Sequence, residues 1–469
     1  MKHPTASAGD AALRLAGRAS LEPFGPPASR AMAWLVALAL LAAMCVPPPL
    51  LTVMGVPYDA PTGSFLFKLH PSTWLVGLAL AVSLAVRGNP LRELGRSLAH
   101  QPTTATYLGT VLAMIAWSVV RYGLSGAAFF IDTLLVPGLV ALLLTRLDLA
   151  TQKRLFTTVC VVLVGNALLG IGEQILEVRL VPHTTFGGVE LVEDVFRATA
   201  LFGHPLNNAA ITGFGLFVLY QLRAPAARFA CCLLAIAALL SFGGRTGLGI
   251  SVALLAPLAM VDLVRHAYRD GLSYREITGG IVLLALALGI IVVAVAAGGI
   301  GERIMAKLAW DDSAQVREKS LLVLGVVDWQ QLLFGMSPAE IERAAEEVGI
   351  RFPSEAIENF WVLLVLQVGI LLLALFAVSL ALFCARLARL GGVAVGLGLL
   401  GFLIVASTSN SLGAKGAVFV VVVTLAQLAA AYRCHGLLQD AGLGAEPGDA
   451  RADGWNANWA GVATPAQPG

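Results

Sequence analysis

Residues 359–385 read NFWVLLVLQVGILLLALFAVSLALFCA, residues 386–390 read RLARL, and residues 391–408 read GGVAVGLGLLGFLIVAST. Neither apolar run holds a charged side chain, and the short segment between them carries Arg386 and Arg389. A helix crosses the hydrocarbon core of a bilayer when roughly 20 consecutive residues are apolar. Its backbone N–H and C=O groups are then all bonded within the segment, which lipid requires. Two such runs joined by a short basic turn define a helical hairpin through a membrane, with the turn on the cytoplasmic side.

The same pattern continues outward in both directions. Apolar stretches at 32–54, 72–86, 104–120, 128–145, 155–176, 207–222, 229–243, 246–263, 279–299 and 416–432 complete the series. The prediction is an all-α, polytopic transmembrane bundle of about 12 spans. Composition agrees, with 58% hydrophobic and 13% charged residues and a mean hydropathy of +0.81. A soluble domain carries roughly 25% charged residues, because water-facing surface needs them. A net charge of +2 offers no footprint for nucleic acid. Cys45, Cys160, Cys231, Cys232, Cys384 and Cys434 lack the paired short spacing of a zinc or redox site and read as small buried hydrophobes. The run beginning at Ala31 has no small-residue cleavage site after it and is expected to be a signal anchor and the first span.

Alternate loops carry the basic residues: Arg87/Arg92/Arg96, Arg146/Lys153/Arg154, Arg223/Arg228, Arg265/Arg269/Arg275 and Arg386/Arg389. The opposite short loops hold mostly single cations, namely Lys68, Arg121, Arg245 and Lys415. The bias predicts an inner-membrane protein with both termini cytoplasmic. Residues 1–30 and 433–469 lack periodicity and are expected to be disordered. Spans one to nine occupy 31–299, a long periplasmic loop 300–358, and the last three spans 359–432. In the long loop, Ser337-Pro338-Ala339-Glu340 is a capping box with proline at the first helical position, opening a helix that runs to about Val348 and stops at Gly349. A second helix is predicted over Glu302–Val327, and both are expected to lie over the outer mouth of the bundle.

Four polar groups stand out against this background. Arg197 opens the run Arg197-Ala198-Thr199-Ala200-Leu201-Phe202-Gly203-His204-Pro205-Leu206-Asn207-Asn208 at the outer start of the sixth span. A guanidinium beside His204, Asn207 and Asn208 suits a lipid-linked pyrophosphate, since its planar fork grips two oxygens at once. The bland alternative is a snorkelling arginine and a His-Pro helix cap. Arg245 sits in the tight outside turn Ser241-Phe242-Gly243-Gly244-Arg245-Thr246-Gly247, whose glycines allow close backbone approach to a ligand or simply make a hairpin. Glu355, Glu358 and Asn359 share a face if Ser354 caps the incoming helix; there a carboxylate serves as a base, or the acids only complement the helix dipole. Trp310, Asp311, Asp312, Gln315, Arg317 and Lys319 form either a solvated helix face or a sugar contact centred on Trp310. The chain has no nucleotide-binding glycine loop and no metal-ligand spacing, so no cofactor or metal is expected.

In order and sidedness, the R…GHP.N run at 197–208, the S..GR.G turn at 241–247, and the long loop with Ser313…Arg317, Leu333-Phe334-Gly335-Met336 and Glu358-Asn359-Phe360 resemble the O-antigen ligase/polymerase superfamily of bacterial membrane glycosyltransferases. Gly203 to Ala209 looks most like its VpsF-like exopolysaccharide-polymerase branch. The resemblance covers roughly residues 150–380; the first four spans match by hydropathy only. It implies a GT-C-like, metal-independent fold with a helical periplasmic cap. It also implies transfer of a glycan from undecaprenyl pyrophosphate to a sugar hydroxyl of an acceptor glycan. The protein would work within the bilayer beside other polysaccharide-assembly proteins. On the matching positions, Arg197, Arg245 and Arg317 would hold pyrophosphate or glycan. Where ligases of the family commonly place a histidine before the asparagine, this chain has Glu358, which favours a polymerase over a ligase and leaves the base open among Glu358, Glu355 and His204. A flippase or transporter of lipid-linked oligosaccharides is the rival from another class.

Overall fold

A computed structural model describes residues 30–58, 64–86, 89–182, 196–271, 312–350, 357–408 and 412–440. Among these residues the chain is helical and has no strand. The elements are α1 (Arg30–Cys45), α2 (Pro48–Val53), α3 (Pro71–Ala85), α4 (Pro90–His100), α5 (Pro102–Tyr122), α6 (Ala127–Leu144), α7 (Leu149–Leu176), α8 (Pro205–Leu219), α9 (Pro225–Ser241), α10 (Arg245–Asp270), α11 (Asp312–Val326), α12 (Trp329–Phe334), α13 (Pro338–Glu347), α14 (Phe360–Ser407) and α15 (Val418–Asp440). Six of them are long and apolar enough to cross a membrane, or seven if the bent pair α3–α4 forms one span; α1, α8 and α9 are apolar but shorter. The protein is a multi-pass membrane protein.

Two helices form the centre. In α6 and α15, 78% of the apolar stretch is buried, against 11% in α10, which lies at the periphery. α15 packs on α6, α7, α8 and α14, while α1 pairs with α3, and α14 with α5, α8 and α10. The core is largely aromatic: the Tyr107 ring stacks on Phe383 with centroids 4.7 Å apart, and its hydroxyl donates to the Leu134 carbonyl at 2.7 Å. That carbonyl lies in a π-helical turn, Phe130–Leu135, which interrupts α6. Such turns disturb the i→i−4 ladder, and a buried hydroxyl is a fitting partner for the carbonyl.

α14 is not straight. Gly369 and Gly392 have φ of 81° and 80°, values open to glycine, and the indole of Trp361 donates to Ser407 Oγ at 2.7 Å. Its two ends therefore meet, and the element folds back on itself. The first arm, Phe360 to Val368, lies between two cores. Val362, Val365 and Leu366 pack with Ile341, Ala345 and Ile350 of the cap, while Phe360, Leu364 and Val368 pack into the bundle.

Most helices fall where hydropathy predicts. The stretch 32–54 is an exception: α1 ends at Cys45 and the short α2 starts afresh at Pro48, because Pro47, Pro48 and Pro49 have no N–H to carry the ladder across. The basic loop after α3 also holds a helix, α4. Asn89 caps it and Pro90 is its first residue, and its inner face is held by buried Arg146, which donates to Ser83 Oγ, Ser97 Oγ and the Glu93 carbonyl. α15 runs to Asp440, so the segment just past Arg433 is helical rather than disordered. The capping box at Ser337 is formed as predicted, with the Ser337 N–H and hydroxyl both donating to Glu340 Oε2 at 2.7 Å. These bonds hold the Glu340 carboxyl below its ordinary range. α13 stops at Glu347, and Gly349 has φ of 81°. The helix predicted over Glu302–Val327 is seen from Asp312 to Val326. The span predicted at 279–299, residues 1–29 and 441–469, Trp310, Ser354 and Glu355 lie outside the described residues.

Candidate functional site

Between α7 and α8 the chain runs non-helically from Phe196 to His204 and is held inside the bundle by side chains of the flanking helices. Ala198, Thr199 and Ala200 are fully buried. Non-helical backbone at such a place needs protein partners, because lipid supplies none. Buried Glu173 on α7 supplies most of them: its Oε2 accepts from the N–H groups of Thr199 and Ala200, both at 2.8 Å, and its Oε1 from the N–H of Leu180 at 2.7 Å. Asn166, about 15 Å further down α7 than its last residue, accepts from the Leu201 N–H at 2.9 Å. From the other side, the Asn208 amide of α8 donates to the carbonyls of Thr199 and His204. Three polar side chains on two helices thus hold one loop inside the bundle, directly ahead of the short α8.

His204 and Pro205 start α8 together. The His204 ring accepts from the Leu206 N–H at Nδ1, at 3.2 Å. A neutral ring that accepts at Nδ1 carries its proton on Nε2. Arg197 is half-buried at the head of the loop, and its carbonyl accepts from Arg179 Nε at 3.1 Å, while the Arg179 guanidinium lies 4.7 Å from the centre of the Phe196 ring. Arg179 is a second guanidinium at this place, and no motif in the sequence marks it.

The glycine-arginine turn meets the same loop. The Ala198 N–H donates to the Ser241 carbonyl at 3.3 Å, and Gly244 and Gly247 pack against Ala209, one residue beyond Asn208. A side chain on Gly244 would overlap the Ala209 methyl, so the turn reaches α8 only because glycine stands there. Half-buried Arg245 follows Gly244 as the first residue of α10. Arg197, His204, Asn207, Asn208 and Arg245 are thereby brought to one end of the bundle, on segments in mutual contact.

The last residues of the long loop are held between α11 and the start of α14. Asn359 is the N-cap of α14, its Oδ1 accepting from the N–H groups of Trp361 and Val362 at 3.0 and 3.1 Å. The cap expected from Ser354 is therefore supplied by Asn359, whose side chain sits at the right offset from the first helical turn. Half-buried Glu358 precedes it, and its N–H donates to Ser320 Oγ of α11 at 3.0 Å. Arg317 lies on α11 one turn before Ser320.

A second buried polar cluster adjoins the first. Asp132, in the π turn, accepts from the Tyr58 hydroxyl at 2.9 Å, the His70 N–H at 3.0 Å and Thr73 Oγ1 at 2.6 Å. The Lys415 ammonium lies 3.6 Å from the centre of the Tyr58 ring and donates to the carbonyls of Tyr58 and Lys68. His70 repeats the His204 arrangement: it precedes a proline, accepts from the Ser72 N–H at Nδ1, and pairs its Nε2 with the Val46 carbonyl at 2.7 Å. Val46 leads into Pro47, on which Gly203 rests; a Cβ at Gly203 would come within 2.7 Å of the Pro47 side chain. The only sequence signal for this cluster is an aspartate inside an apolar stretch, because its partners lie in four separate segments. Among the described residues no group of His, Cys, Asp and Glu is arranged to hold a metal ion.

Compared with known proteins, the chain matches no family model, no curated protein and no solved structure.

Proposed function

We propose that this protein is a polysaccharide polymerase of the membrane glycosyltransferase type. It would transfer a glycan from undecaprenyl pyrophosphate to a hydroxyl of an acceptor glycan on the periplasmic face of a bacterial inner membrane. In this reading the chain crosses the membrane about twelve times, has both termini in the cytoplasm, and follows a GT-C-like plan. The observation that carries it is the convergence of the two arginine motifs on one sunken loop: Ala198 bonds to Ser241, and Gly244 packs on Ala209. Arg197, Arg179 and Arg245 thereby belong to segments that touch one another and the start of α8, whose dipole favours an anion.

The arginines stabilise the departing pyrophosphate as charge develops on it. Glu358 is the preferred base for the attacking hydroxyl; His204 has Nδ1 engaged in its cap, and Glu355 stays a candidate from the sequence. Arg317, Asn207, Asn208, Asn359 and Trp310 complete the substrate contacts, with Asn208 and Asn359 also acting on backbone as described above. The reaction draws on no cofactor. A ligase using the same donor differs only in acceptor.

The test is elongation of an undecaprenyl-pyrophosphate-linked oligosaccharide by the protein in proteoliposomes. The wild type is expected to lengthen the glycan, and Arg245→Ala or Arg197→Ala to abolish lengthening without loss of membrane insertion. Normal chain lengths in both variants refute the proposal. Translocation of the lipid-linked sugar without elongation assigns the sunken loop to a carrier instead, a class that also uses interrupted helices.

A further inference from the structure

One apolar face lies outside the long helices of the bundle. On α11 and α12, Leu321, Leu322, Val326, Trp329 and Phe334 are all exposed, Trp329 to 69%. Large apolar side chains clustered in this way call for a non-aqueous neighbour.

The seat of α12 indicates which neighbour. Its carbonyl at Phe334 accepts from the Trp117 indole of α5 at 2.9 Å, with the two rings 6.2 Å apart. Its end lies along the kink of α14, where the Met336 N–H donates to the Leu366 carbonyl at 2.7 Å and Gly335 faces the Gln367 backbone. α12 thus rests on the seam between two helices that are long and apolar enough to span a membrane. Trp117 stands five residues before the last residue of α5, about 7 Å down the helix. On one side of the seam α5 exposes Leu112 and Val120; on the other, α14 exposes Ile370, Leu371 and Leu375. Those side chains meet acyl chains if these helices span, and α12 is seated directly on the two helices that carry them.

We propose that α12 and the second half of α11 are embedded in the bilayer interface, with Trp329 as the anchor. Tryptophan favours the headgroup boundary, where one edge of its ring is dry and its N–H is wet. Two of the polar residues at the tip satisfy each other, which lowers the cost of the placement: Asp328 and Gln331 form a capping box, with the Asp328 N–H donating to Gln331 Oε1 at 3.0 Å. The cap is then held by lipid as well as by α14, and the bilayer helps to set the position of the segment that carries Glu358.

The experiment uses the full chain in phosphatidylcholine vesicles brominated at acyl positions 6,7 or 11,12. The difference in tryptophan emission between wild type and Trp329→Phe isolates the one indole. The expected result is quenching by the shallow bromines, weaker quenching by the deep ones, and little effect of aqueous acrylamide. Quenching by acrylamide alone places the face in water and overturns the proposal. A Trp329 signal reached by neither quencher means that protein covers the face and overturns it equally. If Trp329→Phe fails to fold, a spin label at Leu322→Cys, in a chain whose six native cysteines are replaced by alanine, probes the same face. Oxygen accessibility above that of a water-soluble nickel chelate supports the proposal, and the reverse order refutes it.

Discussion

Replacing Glu173 should release the loop from Phe196 to His204. Its carboxylate accepts three backbone N–H groups, of which those of Thr199 and Ala200 are wholly buried, whereas Leu180 is exposed and exchanges its bond for water. In Glu173→Ala, two buried donors lose a charged acceptor. At about 1.5–3 kcal/mol for each hydrogen bond to a charged acceptor, the loss of two destabilises the native loop by about 3–5 kcal/mol, after allowing for partial relaxation. Glu173→Gln keeps one oxygen for the Thr199–Ala200 pair and turns its amide towards Leu180, which water relieves; about 1–2 kcal/mol is expected. Amide hydrogen exchange in lipid nanodiscs reads this directly. At 1.4 kcal/mol per tenfold, protection of the peptide covering the loop should fall between about one hundred- and a few thousand-fold in Glu173→Ala, and by an order of magnitude or so in Glu173→Gln. Wild-type protection in Glu173→Ala refutes the reasoning, as does an equal loss in both variants.

Three further perturbations follow from the same packing. Gly369→Ala forces a β-carbon into the Leu333 carbonyl at a φ of 81°, so the α12–α13 cap should loosen and become protease-sensitive while the bundle stays folded. Tyr58→Phe removes one hydrogen bond to Asp132, and a loss of about 1–2 kcal/mol should lower the Tm by a few degrees. Ser337→Ala removes the cap of α13, worth about 1 kcal/mol, which limited proteolysis of the cap should register. The Glu340 half of that cap is pH-dependent: because its carboxyl is held below the ordinary value, its contribution is complete above the usual carboxylate range and fades as pH falls through the lowered one.

Helix positions were readable because each span writes its own apolar run, and because punctuation such as Ser337-Pro338 and Gly349 acts locally. What escaped the sequence was non-local. The break after α1 was written in Pro47, Pro48 and Pro49, yet hydropathy alone passes over it. The amphipathic α4 was hidden by its charge, although Asn89-Pro90 marks its start. For the candidate site, the arginine motifs could be named from the sequence, but their meeting through Ala198, Ser241 and Ala209 depends on how α8, α9 and α10 pack. Glu173 and Asn166 lie within an apolar stretch, and nothing local in the sequence joins them to the loop they hold. Lys415 and Tyr58 are separated by more than three hundred residues, and no local pattern could join them.

The proposed function requires that the sunken loop and its arginines hold a lipid pyrophosphate. Native mass spectrometry of the purified protein with undecaprenyl pyrophosphate, set against undecaprenol, measures this most directly. Retention of the pyrophosphate by the wild type, its loss in Arg245→Ala, and unchanged carry-over of ordinary phospholipid in both are predicted. Equal retention of pyrophosphate and alcohol, or retention untouched by the substitution, contradicts the assignment.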